Sequence, residues 1–351
     1  MTAYRRYSVK VIPHLSGIYL LHARILPLRQ NSSITICAAQ GGGMEIDMQK
    51  DILFGLCADV HHSRDFDERW RVEKFLAEAK ERRADFIIQL GDLCSFSDEG
   101  KDIAKLFNSF EGPHYHVLGN HETEFSDKRT VLDMLDQDRS YYSFDVGDYH
   151  FVVLDTNFEK RDDGYYDYNC RRHDFSNCYI SADQLAWLEN DLAVTNKRCF
   201  IFMHATCEVG DFGILNKNDL RGVLWKTNER AGYNKVTAVF SGHDHTDEYL
   251  YKGGIHYLAI NSMSHKYIGA TCTEQNSRAS DLKAERGTLR HATFYKDPLY
   301  AFVRLKSNGL MQIIGKQSEY IEYSPLEVHW ECAASPQISY REFWMNGYGE
   351  L

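Results

Sequence analysis

Five short apolar runs in this chain each stop abruptly in a polar cluster built from Asp, His, Asn and Gly. "ILFGLCA" runs into Asp59-Val60-His61-His62, "FIIQL" into Gly91-Asp92, and "HYHVL" into Gly119-Asn120-His121-Glu122. Farther on, "RCFIFM" stops at His204, and "VTAVF" stops at Ser241-Gly242-His243-Asp244-His245. Runs this short and this apolar read as strands buried on both faces. The intervening stretches "FDERWRVEKFLAEAKERRAD" and "GKDIAKLFNSFEG" have helical spacing, the first with Phe66, Trp70, Phe75, Leu76 and Ala79 on one stripe. Strand, helix and strand in succession require parallel pairing through right-handed crossovers. The chain is therefore expected to be α/β, with two sheets and helices outside them in one domain.

The remaining punctuation fits that class. "YYSFDVGDYHFVVLD" reads as a hairpin turning at Val146-Gly147-Asp148, and "LYAFVRLKSNGLMQIIGK" as another around Asn308-Gly309. "SADQLAWLENDLAVTN" reads as a helix capped by Ser181, with Leu185, Leu188 and Leu192 inward. Two segments, 156–180 and 270–298, match neither pattern and are read as long loops, which in a compact domain tend to carry function. Residues 1–43 hold Arg5, Arg6, Lys10, Arg24 and Arg29 but no acid, and His22, Arg24 and Pro27 break up the apolar "GIYLLHARILPL". We read 1–43 as an upstream segment outside the native domain and 44–351 as the domain; a leader that exports the protein is the alternative.

Charge and cysteines narrow the partners. A net charge of −10 disfavours nucleic acid or an anionic membrane as partner, and no apolar run reaches the ~18 residues of a membrane-spanning helix. Nine cysteines without a C-x-x-C pair make neither a disulfide framework nor a zinc finger. They read as buried thiols in a reducing, cytoplasmic setting, Cys57 and Cys94 included. No obligate protein partner is inferred.

In α/β sheets, ligands gather at the carboxyl edge of the strands. Residues i and i+2 of an extended strand face one side, so Asp59 and His61 share a site, as do His243 and His245. His62 then points away, toward the core or the rim. Gly91, Gly119 and Gly242 allow close backbone approach. Oxygen and imidazole donors without thiolates suit Mn, Fe, Zn or Mg, and they suffice for two ions sharing one carboxylate. Two such ions suit in-line displacement at phosphorus. "INSMSHKYIG" follows the last of these strands and brings Asn261, Ser264 and His265 within reach of a substrate.

The ordered motifs D-x-H, G-D, G-N-H-E, H and G-H-x-H resemble those of the calcineurin-like metallophosphoesterases, from Asp51 to Gly269. "YYSFDVGDYHFVVLDTNF" and "YISADQLAWLENDLA" are similar to flanks in bacterial members. The resemblance implies two stacked mixed sheets flanked by helices, a four-layer α/β/β/α sandwich. It also implies two divalent ions (Mn2+, Fe2+/Fe3+, Zn2+ or Mg2+), one held by Asp59, His61 and His245, the other by Asn120, His204 and His243, with Asp92 bridging. His121 would lie outside the metals near the leaving group, with Glu122 orienting its ring. The activity implied is hydrolysis of a phosphodiester, phosphomonoester or nucleotide pyrophosphate in a small substrate, by a hydroxide bridging the two ions. Ser95 stands where purple acid phosphatases place a tyrosine, which argues against a tyrosinate-bound ferric ion. His61 stands where ADP-ribose and CDP-alcohol pyrophosphatases often carry Gln, and the cyclic-nucleotide branch keeps His, so the substrate stays open. A binding module that has lost activity is the alternative function.

Overall fold

The computed structural model describes residues 8–12, 20–24, 50–61, 67–168, 178–268, 292–321, 324–328 and 335–346. The chain divides into two compact units, Met1–Lys50 and Asp51–Leu351. Met44, the expected start of the domain, lies outside the described residues, as do Phe66 and His62. Within the first unit, β1 (Ser8–Ile12) and β2 (Leu20–Arg24) pair antiparallel.

The second unit opens with β3 (Ile52–Cys57), α1 (Glu68–Arg82), β4 (Phe86–Gln89), α2 (Asp98–Asn108), β5 (His114–His116) and α3 (Lys128–Met134). It continues through β6 (Tyr142–Val146), β7 (Tyr149–Val153), β8 (Phe158–Arg161), β9 (Gly164–Asp167), α4 (Ala182–Val194) and β10 (Arg198–Phe202). Then come α5 (Lys217–Ala231), β11 (Val236–Ser241), β12 (Glu248–Lys252), β13 (Ile255–Ala259) and β14 (His265–Tyr267). The last strands are β15 (Ala292–Phe294), β16 (Ala301–Leu305), β17 (Leu310–Ile314) and β18 (Arg341–Trp344).

These strands build two six-stranded mixed sheets, ordered β18-β17-β16-β3-β4-β5 and β12-β13-β11-β10-β7-β6. Strands β3, β4 and β5 run parallel in the first, and β7, β10, β11 and β13 in the second, as their apolar runs foretell. The sheets stack face to face through an aromatic core. Phe54 lies flat on Phe86 (4.7 Å, 9°) and meets Phe151 and Phe202 of the other sheet edge-on, both at 5.8 Å. Such edge-to-face pairs align ring edge with ring face and add to the burial itself. Helices α1 and α2 cover the outer face of one sheet through Val72, Phe75, Ile103 and Phe107; α4 and α5 cover the other through Leu188, Leu192, Leu220 and Leu224. The result is the α/β/β/α sandwich that the motif order implies.

Several local readings change. Trp70 is 37% exposed, and Arg71 takes its place inward at 0%. A buried guanidinium survives there because Asp67 takes its Nε and Nη2, while Nη1 and Nη2 donate to the carbonyls of Met263 and Tyr295. The segment 156–180 is not loop throughout: β8 and β9 form an antiparallel hairpin inside it. In the segment 270–298 the described part begins with β15, paired to β14, and residues 269–291 lie outside the description. Ser181 caps α4 as expected, accepting Gln184 N at 3.3 Å. No described helix is long and apolar enough to cross a membrane.

Candidate metal centre

The carboxyl ends of β3, β4, β5, β10 and β11 meet at one edge of the sandwich, and all the candidate ligands come together there. Asp59, His61, Asp92, Asn120, His204 and His245 are each at most 2% exposed. The way they reach the site differs from strand alternation. Asp59, His61, Asp92, His243 and His245 account for five of the seven described non-glycine residues with positive φ, at 50° to 72°. Each strand has ended, and a left-handed residue swings the side chain inward. Such residues cost roughly 1–2 kcal/mol each and persist where their surroundings hold them. Here Asp59 N donates to Gly91 O (3.0 Å), His61 N to Asp92 O (2.8 Å) and His243 N to Asp59 Oδ2 (3.0 Å). Two glycines are obligatory to that lacing. A Cβ on Gly119 would sit 2.1 Å from Asp92 Oδ1, and one on Gly91, at φ +98°, would sit 2.3 Å from His204 Nδ1.

Around Asp92 the donor atoms form two groups. On one side, His61 Nε2 lies 3.0 Å from His245 Nε2, 3.7 Å from Asp59 Oδ1 and 3.7 Å from Asp92 Oδ2. On the other, His204 Nε2 lies 3.1 Å from Asn120 Oδ1, 3.2 Å from His243 Nδ1 and 3.2 Å from Asp92 Oδ2. Ligands about 2.0–2.2 Å from one ion stand about 3.0–3.6 Å apart, close to the 3.0–3.7 Å seen here.

The hydrogens decide whether cations fit. His245 Nδ1 faces His265 O at 2.8 Å, and His204 Nδ1 faces Leu90 O at 2.8 Å. A carbonyl only accepts, so both Nδ1 atoms carry hydrogen, and in the neutral rings both Nε2 atoms present bare lone pairs. His204 Nε2 thus points its lone pair at the oxygens of Asn120 and Asp92, while Asn120 Nδ2 has no partner among the described residues. Acceptors converging on acceptors call for a cation between them. A proton is the other way to satisfy them: burial opposes it, but the Asp92, Asp59 and Glu122 carboxylates raise His204 to about 10. Burial lowers His61 and His243 to about 3, so both stay neutral, as ligands must be. Burial would also raise Asp59 and Asp92, but the facing imidazoles hold both well below the carboxylate range.

Glu122 requires a correction. Its carboxylate does not touch the His121 ring. Oε2 accepts Asp92 N (3.0 Å) and Gly119 N (2.8 Å), and Oε1 accepts Leu93 N (2.6 Å). Fully buried, it ties the end of β4 to the turn after β5, and burial with the nearby Asp92 charge pushes it up to about 8. The acid on His121 is Glu124, with Oε2 3.2 Å from Nδ1. Sequence reading passed over Glu124, although i and i+3 on one turn are natural neighbours. His121 Nε2 stands 3.9 Å from Asp92 Oδ2, at the more open side of the centre. Asp92 Oδ1 accepts His121 N at 2.8 Å, which leaves Oδ2 to face both groups. Ser264 lies under the site, donating to Val60 O; Asn261 turns away toward Ser335 O and Gln337 O; Cys57 and Cys94 are buried, free thiols.

The family described as calcineurin-like phosphoesterase matches residues 52–247, from β3 to just past His245. The chain belongs to the calcineurin-like phosphoesterases. The chain is 26% identical over 204 residues to a manganese-dependent ADP-ribose/CDP-alcohol diphosphatase of Oryza sativa subsp. japonica, an alignment covering 47% of this chain and 59% of that protein. It is 25% identical over 222 residues to the Arabidopsis thaliana protein of the same description, covering 50% of this chain and 70% of that one. A dimetal phosphatase from Danio rerio shares the fold, with TM-score 0.56 and 18% identity over 78% of this chain and 99% of that one.

Proposed function

We propose that this protein hydrolyses a phosphate ester or diphosphate bond in a small nucleotide-like substrate, using two divalent cations held by Asp59, His61, His245 and by Asn120, His204, His243, with Asp92 shared. The observation that carries this reading is Asp92 Oδ2, which faces His61 Nε2 at 3.7 Å and His204 Nε2 at 3.2 Å between two groups of lone pairs. Cations there would supply an activated water and neutralise phosphoryl oxygens. The chain does the rest. Asp59 and Asp92 bring the negative charge that retains cations, while neutral Asn120, His61 and His243 keep that charge low enough for an anionic phosphate to approach. His121, braced at Nδ1 by Glu124, can hold a proton at Nε2 for the departing oxygen. Glu122 is a positioning residue for Asp92.

The relatives named as acting on ADP-ribose and CDP-alcohols favour nucleoside diphosphate conjugates, and they favour Mn2+ as a supporting ion. Buried free thiols at Cys57, Cys94, Cys178, Cys199 and Cys207 support a reducing compartment. A panel of ADP-ribose, a CDP-alcohol, a cyclic nucleotide, bis(p-nitrophenyl) phosphate and a phosphomonoester, each with Mn2+, tests the reading. Turnover of the diphosphates above the others is expected. No Mn2+-dependent hydrolysis of any of them would overturn it.

A further inference from the structure

We propose that His265 is a third imidazole ligand for the first metal position, joining Asp59, His61 and His245; the inference rests on the two-cation reading above. The ligand atoms of His61, His245 and His265 lie within 4.8 Å of one another. The His265 ring centroid is 4.7 Å from that of His245 and 5.0 Å from that of His61, and the residue is 1% exposed.

The backbone fixes this approach. The turn after β13 is bound to the three residues that carry the start of the centre. Met263 N donates to Ala58 O (2.8 Å), Ser262 Oγ to Asp59 O (2.7 Å) and Ser264 Oγ to Val60 O (3.1 Å). Ser262 Oγ in turn accepts the amides of Ser264 (3.0 Å) and His265 (3.2 Å). His265 therefore cannot drift relative to Asp59 and His61 without breaking these bonds. Its own carbonyl holds His245 Nδ1 at 2.8 Å, so one residue offers both a carbonyl to a ligand and a ring to the same position. The pairing of β14 with β15 sets the ring between Tyr267 (4.6 Å) and Phe294 (5.6 Å). His61 differs from His204 and His245 in that its Nδ1 has no hydrogen-bond partner among the described residues. Its position thus lacks the outer support that normally strengthens an imidazole ligand. A further nitrogen donor makes up for that.

The two positions then differ in kind. The first has three imidazoles and the carboxylates, and the second has two imidazoles, an amide oxygen and the shared carboxylate. Nitrogen-rich sites favour Zn2+ over Mn2+ more strongly than oxygen-rich ones. The first position is therefore the tighter for Zn2+, and His265 is the reason.

The test is calorimetric titration of the metal-free full chain with Zn2+ against a competing chelator, in wild type, His265→Phe and His265→Gln. Phe keeps the packing and removes the nitrogens; Gln keeps a donor oxygen. Wild type is expected to take two equivalents of unequal affinity. His265→Phe should weaken one of them at least about tenfold and leave the other unchanged, with His265→Gln in between. Co2+ at the weakened position should show an altered visible absorption spectrum, which loss of packing alone does not produce. Wild-type affinity for both equivalents in His265→Phe would show that His265 only packs. Equal weakening of both equivalents would show that it acts through the loop, and either result overturns the inference. A wild-type chain that takes up fewer than two ions would overturn the two-cation reading itself, and this inference with it.

Discussion

Glu122→Gln separates a carboxylate that supports the backbone from one that tunes His121. In the wild type, Oε2 accepts two amides, from Asp92 and Gly119, and Oε1 accepts one, from Leu93. Glutamine keeps one oxygen. Its better orientation leaves that oxygen on Asp92 N and Gly119 N and turns an NH2 toward Leu93 N. One buried donor loses its acceptor, at about 1–3 kcal/mol. Glu122→Ala strands all three amides, and three times that figure approaches the ~5–15 kcal/mol total stability of a domain. Urea unfolding above pH 8, where Glu122 is ionised, should therefore show a lower midpoint with an unchanged m-value for Glu122→Gln. Little folded Glu122→Ala should accumulate. The refuting outcome is a Glu122→Gln protein as stable as wild type whose pH–rate profile is shifted, together with a Glu124→Gln protein whose profile is not. That pair would return the His121 partnership to Glu122.

Three other perturbations read different parts of the account. Asp92→Asn can keep Oδ1 on His121 N but puts an NH2 where both positions need an anion; metal affinity should fall at least ~100-fold with the fold intact, read by metal analysis beside circular dichroism. His121→Ala should slow an alkyl phosphate ester by about 10²–10⁴-fold and a p-nitrophenyl ester far less, since the better leaving group scarcely needs a proton; equal losses in kcat would argue against proton donation. His150 sits between Asp145 Oδ1 (2.7 Å) and Asp191 Oδ2 (2.8 Å), and although burial opposes it, these carboxylates raise its pKa. Its stabilisation is thus complete below about 6.5 and lost as pH rises through the raised value. The stability gap between wild type and His150→Gln should narrow above neutral pH, and a gap that widened would contradict the pairing.

The layered architecture was legible because the parallel strands are buried on both faces, so "FIIQ" and "VTAVFS" carry no alternation that could mislead. The candidate ligands were legible because polar groups at the ends of such strands have nothing apolar to pack against. Their geometry was not. An extended D-x-H and the observed left-handed Asp59 and His61 deliver the same side chains, and no residue type in the motif marks the difference. Glu122 and Glu124 were confused because adjacency in sequence favours the first, while the turn after β5 brings the second to the ring. Helix α5 was passed over although Leu220, Leu224 and Thr227 share a face and Gly232 follows at φ +73° as its stop. Arg71 displaced Trp70 from the interior because its partners, Met263 O and Tyr295 O, come from chain too distant for local pattern to reveal.

In the proposed centre Asp92 is shared by two cation positions. The most direct measurement is the number of ions retained per chain after the metal-free protein is loaded with Mn2+ and freed of excess by gel filtration. Two are expected for the wild type, with both lost together in Asp92→Asn because one carboxylate serves both. A wild type that retains one ion or none, or an Asp92→Asn protein that still retains two, would contradict that sharing.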